Sequence, residues 1–495
     1  MLDKNGQVED GRAGLPVPKP SSSFWLQDPS PILLGHRTTP ELPETADIVI
    51  VGSGLTGSFA ARFLKNREGS NESVVILEAR EASSGATGRN GGHCQPEIYR
   101  SAPDVAAFEL ENYHFLRDLV KKHSIPCDWA DKDGIVHSFF SPDLWEEALA
   151  AVEKTRKSHP ELGTQLEVVH PPSATNNPPG SNHTLAGLRI PHAHGAVIQK
   201  HGATLWPYKL VAWVLEQLLS AFPAPAFNLQ TNTPVTALTR TPSSPYQWTL
   251  TTPRGPIAAR QVLLATNGHT SHLLPAFADL IVPVRGQLGA YRPPEPSRPP
   301  SPMTLHHSYG FDSSALDPGG PRGEYLGQRP GPGGDLIYGG GRRRARNLAV
   351  GEWRDDEVEE VVAGYLRRSL LEVFDLRPST EARGLGELEP TFEWTGVMAY
   401  SRDRRSWVGA VPEGLGGGEG LFVSAGYTGH GMPHAALSAR AVVEVMVGVG
   451  NPGVGLPGGY WVSEERVRVV RETEESVVER RDHGGGGDVP KVIAP

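Results

Sequence analysis

A strand, a glycine-rich turn and a helix follow one another near the start of the chain. The apolar segment 46–51 runs into a turn that contains Gly52, Gly54 and Gly57, and a helix start rich in small residues follows. A second apolar segment ends on Glu78. In such a unit the glycines let the backbone approach a pyrophosphate, the helix N-terminus faces its charge, and the acid can bind ribose hydroxyls. The pattern predicts a unit that binds a dinucleotide.

The composition limits the class of protein. The 495 residues are too many for one small core, and 47 basic against 56 acidic residues give a net charge of −9, which does not favour a nucleic-acid partner. No apolar run approaches the ~18 residues of a membrane span, and the first residues lack the apolar core of a secretion signal. Cys94 and Cys127 form no redox or zinc motif, and the sequence does not decide whether they form a disulfide. We therefore expect an intracellular, cytoplasmic protein with no membrane partner and no metal site.

Hydrophobic spacing and breaker residues divide the rest of the chain. Residues 1–41 are predicted to form an arm on the surface, with Phe24 and Trp25 as its anchors. Residues 315–334 are rich in Gly and Pro and are predicted to form a mobile loop, and poor order is expected after about residue 465. Helices are predicted at 104–124, 207–221, 354–374 and 433–447, and strands at 229–239, 246–252 and 261–266.

Three further segments indicate which dinucleotide is bound. Segment 85–92 holds five Gly or Ala in eight residues, which leaves room for a flat, wide group against the backbone. Segment 262–268 is a buried strand that ends in a tight polar turn. Segment 426–431 leads into a helix, whose N-terminus would stabilise a developing anion such as the pyrimidine edge of a reduced flavin. Together these segments favour FAD.

With these motifs the chain resembles the FAD-dependent amine and amino-acid oxidases of the D-amino-acid oxidase superfamily. The closer resemblance is to the gamma-glutamylputrescine oxidase-like branch, with its fungal FAD-dependent amine oxidoreductases. As a set, the matching blocks are specific for the superfamily and far less so for a substrate. They are Val51–Gly57 with Glu78, Gly85–Gly92, Ile281–Gln287, and Trp394–Pro412 joined to Ser424–His434.

The resemblance implies which residues contact FAD. Glu78 would bind the adenosine ribose, and Val235 would contact the adenine side through its backbone. Some relatives attach the flavin covalently; here His93 or Cys94 would form that bond, and non-covalent binding is the alternative. The predicted cofactor-binding residues are Gly52, Gly54, Leu55, Thr56, Gly57, Glu78, Ala79, Arg80, Gly85, Ala86, Thr87, Arg89, Asn90, Gly91, Gly92, His93, Val235, Thr266, Asn267, Gly268, Gly429, His430, Gly431 and Met432.

The catalytic candidates are a histidine and three tyrosines. His430 would act next to the flavin, either as a flavin contact or in proton transfer, and a structural histidine at a helix start is the plainer interpretation. Tyr309, Tyr338 and Tyr427 would line the substrate site, although core packing is an equal alternative for each. The basic run Arg342–Arg346 could bind a substrate carboxylate, and a solvated loop is the plainer interpretation there.

The cofactor motifs occur at the start, middle and end of the chain and must meet on one ligand, so the stretches between them are excursions. We expect an α/β fold in which a Rossmann-like FAD-binding domain is interleaved with an α+β substrate domain that has a mostly antiparallel sheet. The predicted divisions are 1–41 for an N-terminal arm, 42–125, 202–285 and 396–450 for the FAD-binding domain, 126–201 and 286–395 for the substrate domain, and 451–495 for a C-terminal tail.

The predicted function is an FAD-dependent oxidoreductase that oxidises the C–N bond of an amine or amino-acid-like substrate. Hydride would leave the carbon next to nitrogen for flavin N5, and O2 would be the final acceptor. No second glycine unit for NAD(P)H occurs in mid-chain, so the substrate itself is the expected electron donor. The alternatives are a dehydrogenase that uses a quinone or protein acceptor, and a flavin-binding protein without turnover.

Overall fold

The structure of the protein is a computed structural model. It describes residues 11–172, 183–294, 303–317, 319–331, 334–376, 386–449 and 453–473. Among the helices in these ranges, none is long and apolar enough to cross a bilayer. They are α1 (Leu55–Lys65), α2 (Pro103–His123), α3 (Pro142–Ser158), α4 (Pro160–Gly163), α5 (Pro207–Ala221), α6 (Thr270–Leu273), α7 (Glu360–Val373), α8 (Ala435–Met446) and α9 (Glu464–Glu472).

The strands of the described ranges alternate with these helices along the chain. They are β1 (Thr45–Val51), β2 (Val74–Leu77), β3 (His93–Cys94), β4 (Ala130–Lys132), β5 (Ile135–Phe139), β6 (Leu166–Val169), β7 (Gly195–Gln199), β8 (Gly202–Thr204), β9 (Phe227–Gln230), β10 (Ala237–Arg240), β11 (Trp248–Thr252), β12 (Gly255–Leu264), β13 (Ile281–Tyr291), β14 (Ser308–Ser313), β15 (Arg322–Gln328), β16 (Leu336–Gly340), β17 (Pro390–Ser401), β18 (Trp407–Ala410) and β19 (Leu421–Ala425).

The first sheet has a parallel centre in the order β19, β12, β1, β2, β9. Antiparallel pairs extend it, with β10 and β11 on β12 and β18 on β19. Ile48 and Ile50 of β1 face one hydrophobic cluster, and Val49 and Val51 face another. Burial on both faces explains why this strand is a continuous run of β-branched residues.

Helices α1, α5 and α8 pack together over one face of the first sheet. Small residues on α1, such as Ala60 and Ala61, are fully buried and let the helices approach closely. Helix α5 has the bounds predicted for it, and α2 lies within one residue of its prediction. Both begin with Pro at the first helical position, where the missing N–H is no loss.

The second sheet has the order β17, β13, β16, β15, β14, β5, β7, β6. Of its pairs only β14 with β5 is parallel. Helix α7 packs against β13 and β16. The expected α/β fold with a mostly antiparallel second sheet is confirmed.

Two predictions of irregular structure are wrong. Residues 322–328, inside the predicted mobile loop, form the central strand β15. The predicted C-terminal tail contains α9, where the Arg466 guanidinium lies 3.6 Å from the centre of the Trp407 ring and donates to the Asp403 carboxylate. The rest of that tail, residues 474–495, lies outside the described residues.

The strands of the two sheets come from alternating parts of the chain. The first sheet uses residues 45–77, 227–264 and 407–425, and the second uses 135–199 and 281–401. Strands β13 and β17 run across the predicted divisions at 285 and 395. The division into interleaved domains at the stated boundaries stays a prediction.

Candidate active site

A cavity of about 700 Å³ begins at the carboxyl ends of β1, β2 and β12 and continues beneath the second sheet. This end of a parallel sheet is where α/β folds bind ligands. Most residues predicted to contact the cofactor are in its wall. They are Gly52, Gly54, Leu55, Thr56, Glu78, Ala79, Arg80, Gly85, Ala86, Thr87, Arg89, Asn90, Gly91, His93, Val235, Thr266, Asn267, Gly268, Gly429, His430, Gly431 and Met432.

The glycine turn after β1 brings the backbone into close contact with its neighbours. Gly52 has φ of +105°, and a Cβ there would lie 2.7 Å from the Ala265 carbonyl oxygen. A Cβ on Gly57 would lie 1.9 Å from the Gly52 carbonyl oxygen. Gly57 therefore lets α1 pack onto the turn and does not form part of the cavity wall, which corrects its predicted pyrophosphate contact.

The N-terminus of α1 faces the cavity. Gly54 precedes the helix and offers no side-chain cap, so the first N–H groups need other partners. Leu55 N–H donates to Thr87 Oγ1 at 3.0 Å. The hydroxyl of Thr87 in the 85–92 loop therefore lies beside the helix end that would attract phosphate.

Glu78 is held at the tip of β2 by a defined set of donors. One carboxylate oxygen accepts hydrogen bonds from Ser53 N–H at 3.0 Å and from Ser53 Oγ at 2.7 Å. The other accepts from Arg80 N–H at 3.0 Å. The side chain is oriented in the cavity wall, as a ribose contact requires.

Arg89 is buried in the cavity wall, and its guanidinium is held by neighbouring groups. Its guanidinium lies 3.2 Å from the Asp355 carboxylate and donates to the carbonyl oxygens of Ser21 and Thr395. Burial, opposed by the Asp355 charge, lowers the pKa of Arg89 to about 10. These bonds fix the Arg89 side chain, and its flavin contact stays a prediction.

The same carboxylate binds a second arginine of the cofactor loop, which is residues 78–92 between β2 and β3. Arg80 donates to both Asp355 oxygens, at 2.9 and 3.0 Å, and to the Val17 carbonyl oxygen at 3.2 Å. Asp355 thus joins Arg80 and Arg89 in one buried network under the loop.

The N-terminal arm passes beside this network and forms part of the cavity wall through Leu15 and Pro16. Phe24 and Trp25 are buried, which confirms them as anchors. A Cβ on Gly92 would lie 2.5 Å from the Trp25 ring, so Gly92 packs under the arm and lies outside the cavity wall. The arm therefore does more than cover the surface, since at Leu15 and Pro16 it reaches the cavity wall.

The two residues considered for a covalent link differ in access. His93 is in the cavity wall, and burial lowers its pKa to about 3. Cys94 is a buried free thiol, and burial raises its pKa. A thiol held in its neutral form is a poor nucleophile, so the structure gives Cys94 no support as the attachment point.

The turn before α8 closes the far end of the cavity with Gly429, His430, Gly431 and Met432. Asn112 of α2 holds this turn. Its amide donates to the Met432 carbonyl at 3.0 Å and accepts from Leu437 N–H at 2.9 Å.

The three candidate tyrosines have different surroundings. Tyr309 is in the cavity wall beneath the second sheet. Tyr427 is also in the wall, and its hydroxyl is hydrogen-bonded to Thr56 and Ser424, both at 2.8 Å. Tyr338 is fully buried in the core, with its hydroxyl 3.1 Å from Ser369 Oγ. The prediction that Tyr338 lines the substrate site is therefore wrong.

Sequence reasoning missed the most buried acid of the site. Glu109 of α2 is 1% exposed and lies in the cavity wall. Its Oε1 is 3.2 Å from His434 Nε2, and its Oε2 is 3.7 Å from His430 Nε2. Burial raises the pKa of Glu109 well above its ordinary value, and the neighbouring Glu97 charge raises it further.

Charged side chains of both signs occupy the part of the cavity beneath the second sheet. Arg100 pairs with Asp312 at 2.6 Å. Arg342, the first residue of the basic run, is also in the wall, with its guanidinium 5.3 Å from the centre of the Tyr400 ring. Arg342 is half-buried and lines the cavity, so it is a candidate for binding an anionic substrate group, and the solvated-loop interpretation stays open.

The residues of the cavity fit FAD. The glycine turn and the α1 N-terminus suit a diphosphate, Glu78 suits a ribose, and the open space beside Gly85 gives room along the loop. No bulky side chain of the turn enters the cavity at Gly52 or Gly54. The volume suits a large cofactor together with a small substrate.

Comparisons with known proteins agree with this geometry. The sequence profile of the family described as FAD dependent oxidoreductase, DAO, matches residues 47–445. The probable oxidoreductase OrdL of Rhizobium meliloti is 24% identical over 85% of this chain and 90% of its own length. The gamma-glutamylputrescine oxidoreductase of Escherichia coli is 22% identical over 82% of this chain and 84% of its own length.

Solved structures show the same fold. Glycine oxidase from Geobacillus kaustophilus superposes with a TM-score of 0.61 at 18% identity, over 82% of this chain and 95% of its own. L-proline dehydrogenase from P. horikoshii gives a TM-score of 0.63 at 17% identity, over 87% and 99%. The resemblance found in the sequence is confirmed: this chain belongs to the DAO family of FAD-dependent oxidoreductases.

Proposed function

We propose that this enzyme oxidises the C–N bond of a small amine or amino-acid-like substrate and uses O2 as the final electron acceptor. The observation that carries the proposal is one continuous cavity that joins the dinucleotide turn to a chamber of charged residues beneath the second sheet. Relatives named for glycine, L-proline and gamma-glutamylputrescine support the choice of substrate class.

The chain's own residues would bind and orient the two reactants. The turn at Gly52–Gly54, with Glu78, would hold FAD, which when bound supplies the acceptor for a hydride. Tyr309 and Tyr427 would enclose the substrate, and the buried wall would exclude water from the reacting atoms. Arg342 would bind a substrate carboxylate through charge-assisted hydrogen bonds.

The test is an anaerobic absorbance titration of the purified yellow protein. The panel contains glycine, N-methylglycine, L-proline, iminodiacetate, putrescine and gamma-glutamylputrescine. We expect at least one member to bleach the flavin band, and rapid recovery with peroxide on adding air. Bleaching without recovery in air, but with recovery on adding a quinone, would instead identify a dehydrogenase.

A protein that holds FAD and is bleached by no member of the panel at any pH would contradict the proposal. That result would favour the remaining alternative, a flavin-binding protein without turnover. The Gly54→Val variant is the control for cofactor-independent absorbance, because its side chain would enter the space at the α1 N-terminus.

A further inference from the structure

Glu109, His430 and His434 form a cluster at the turn before α8, and of the three only His430 is a predicted cofactor contact. Glu109 projects from the middle of α2, within a face that otherwise packs Ala106, Tyr113 and Leu116 into the core. A carboxyl in such an apolar position is costly to bury unless its partners are fixed. Its partners are fixed, and two of them are histidines that line the cavity.

The hydrogen bonds of His434 set where protons lie in the cluster. His434 Nδ1 is 2.6 Å from the His430 carbonyl oxygen, which can only accept, so Nδ1 carries hydrogen. Burial lowers the pKa of His434 to about 3, so its other nitrogen, Nε2, is an acceptor at neutral pH. The Tyr460 hydroxyl lies 2.8 Å from that nitrogen, and Glu109 Oε1 lies 3.2 Å from it. His434 Nε2 thus accepts from the Tyr460 hydroxyl, and Glu109 Oε1 lies beside the same nitrogen.

The other oxygen of Glu109 faces His430. Glu109 Oε2 accepts the Glu97 N–H and lies 3.7 Å from His430 Nε2. The His430 side chain is 29% exposed, whereas that of Glu109 is 2% exposed. His430 is thus the member of the pair that a molecule in the cavity can reach, and Glu109 is the member that holds its ring in place.

Oxidation of an amine substrate requires a group that accepts a proton from the substrate nitrogen. Most aliphatic amines are ammonium ions at neutral pH, and the nitrogen must lose a proton before the adjacent carbon can release hydride. We propose that His430 accepts this proton and that Glu109 is a positioning residue that orients His430 and stabilises its charged form. This inference rests on the proposed function, because it assigns the proton acceptor for an amine substrate.

The step balances without any further reagent. One N–H bond of the ammonium group breaks, its electron pair stays on the nitrogen, and the imidazole of His430 gains the proton. The new charge on His430 faces Glu109 Oε2 at 3.7 Å, and this oxygen stabilises it while the carboxyl keeps its own proton. Nothing is oxidised or reduced in this step.

The charged and titratable groups around the pair come from every neighbouring element. None of them can stabilise a charged His430 in place of the Glu109 carboxyl. The like charge of Glu97 disfavours ionised Glu109. His137 and His434 are neutral, because burial lowers the pKa of each to about 3. The groups are Cys94 and Glu97 before α2, His137 of β5, His430 and His434 of the turn before α8, and Tyr460.

The test is the pH dependence of flavin reduction, measured anaerobically with the panel amine that bleaches wild type. Wild type should keep reacting at pH 7, where the amine is protonated. Glu109→Gln and His430→Gln should each be slower at pH 7 by about 10²–10⁴-fold, the range for general base catalysis. Both should recover tenfold per pH unit as the pH approaches the pKa of the amine itself. The double variant should be no slower than the slower single variant.

Two controls separate this role from a structural one. Glu111→Gln makes the same change on exposed α2 surface and should keep the wild-type profile. Glu109→Asp retains a carboxyl and should keep the shape of the wild-type profile at a lower rate. If Glu109→Gln only scales the rate down at every pH, Glu109 is a packing residue and the inference is overturned, although the proposed function stands. If no panel amine bleaches wild type, both are overturned.

Discussion

Asp355 is the residue whose replacement should report most directly on how the cofactor loop is held. It is 2% exposed, and its carboxylate is shared by Arg80 and Arg89, whose side chains are 7% and 0% exposed. In Asp355→Asn the two guanidinium groups stay buried with a neutral partner. Removing one member of a buried ion pair costs about 3–5 kcal/mol, and we expect a loss of free energy of unfolding in that range.

The adjacent residue provides a matched control. Asp356 pairs with Arg354 at 2.7 Å, but these side chains are 28% and 42% exposed. Exposed pairs are worth about 0–1 kcal/mol, so Asp356→Asn should leave stability nearly unchanged.

Urea unfolding of both variants, followed by tryptophan fluorescence, gives the comparison. FAD release should follow the same order, because Arg80 and Arg89 belong to the loop that lines the cavity. If the two variants differ from each other by less than about 1 kcal/mol, the network does not stabilise the fold as argued.

Three further predictions use other parts of the site. Arg342→Met should raise KM for a carboxylate-bearing substrate by about 10–100-fold, because a hydrogen bond to a charged group is worth ~1.5–3 kcal/mol. The control Arg346→Met changes an exposed arginine and should keep the wild-type KM. Equal KM values for the two variants would exclude Arg342 from substrate binding. Burial raises the pKa of Glu324 from 4.5 to about 7. As the pH rises from 4.5 to 7, the unfolded chain loses this proton while the folded protein keeps it, so the free energy of unfolding should fall by about 3 kcal/mol. Glu324→Gln should remove that fall in unfolding experiments, and parallel curves for the two proteins would contradict it. Gly54→Val should be purified without FAD, because even its Cβ would approach Thr87 Oγ1 to 3.1 Å; full FAD content by absorbance would place the diphosphate elsewhere.

The parts of the fold that local chemistry determines could be predicted. The glycine turn needs its residues within a few positions of one another, and Pro at the first helical position marks α2 and α5. Strand β15 could not be predicted, because its glycines look like loop residues. A Cβ on Gly327 would lie 2.3 Å from His93 Nε2, so this glycine makes room for a ring from a distant segment.

The substrate side of the site was also hard to predict, because its side chains come together from distant parts of the chain. Glu109 has a signal in the sequence, since it occurs three positions after Ala106 and four before Tyr113 on the apolar face of α2. Its meaning depends on His430 and His434, which are more than 300 positions away. The prediction for Tyr338 was wrong because a core tyrosine and a site tyrosine look alike in the sequence, and only its partner Ser369 shows which one it is.

The N-terminal arm has a consequence for biosynthesis. Ser21 accepts a hydrogen bond from the N–H of Thr395, 374 positions later, and Ser21 N–H donates to the Asp355 carbonyl at 2.8 Å. During synthesis the arm must therefore wait without these partners until residue 395 has been made. Contacts of such long range form late. The side of the cavity that Leu15 and Pro16 form therefore stays open until then.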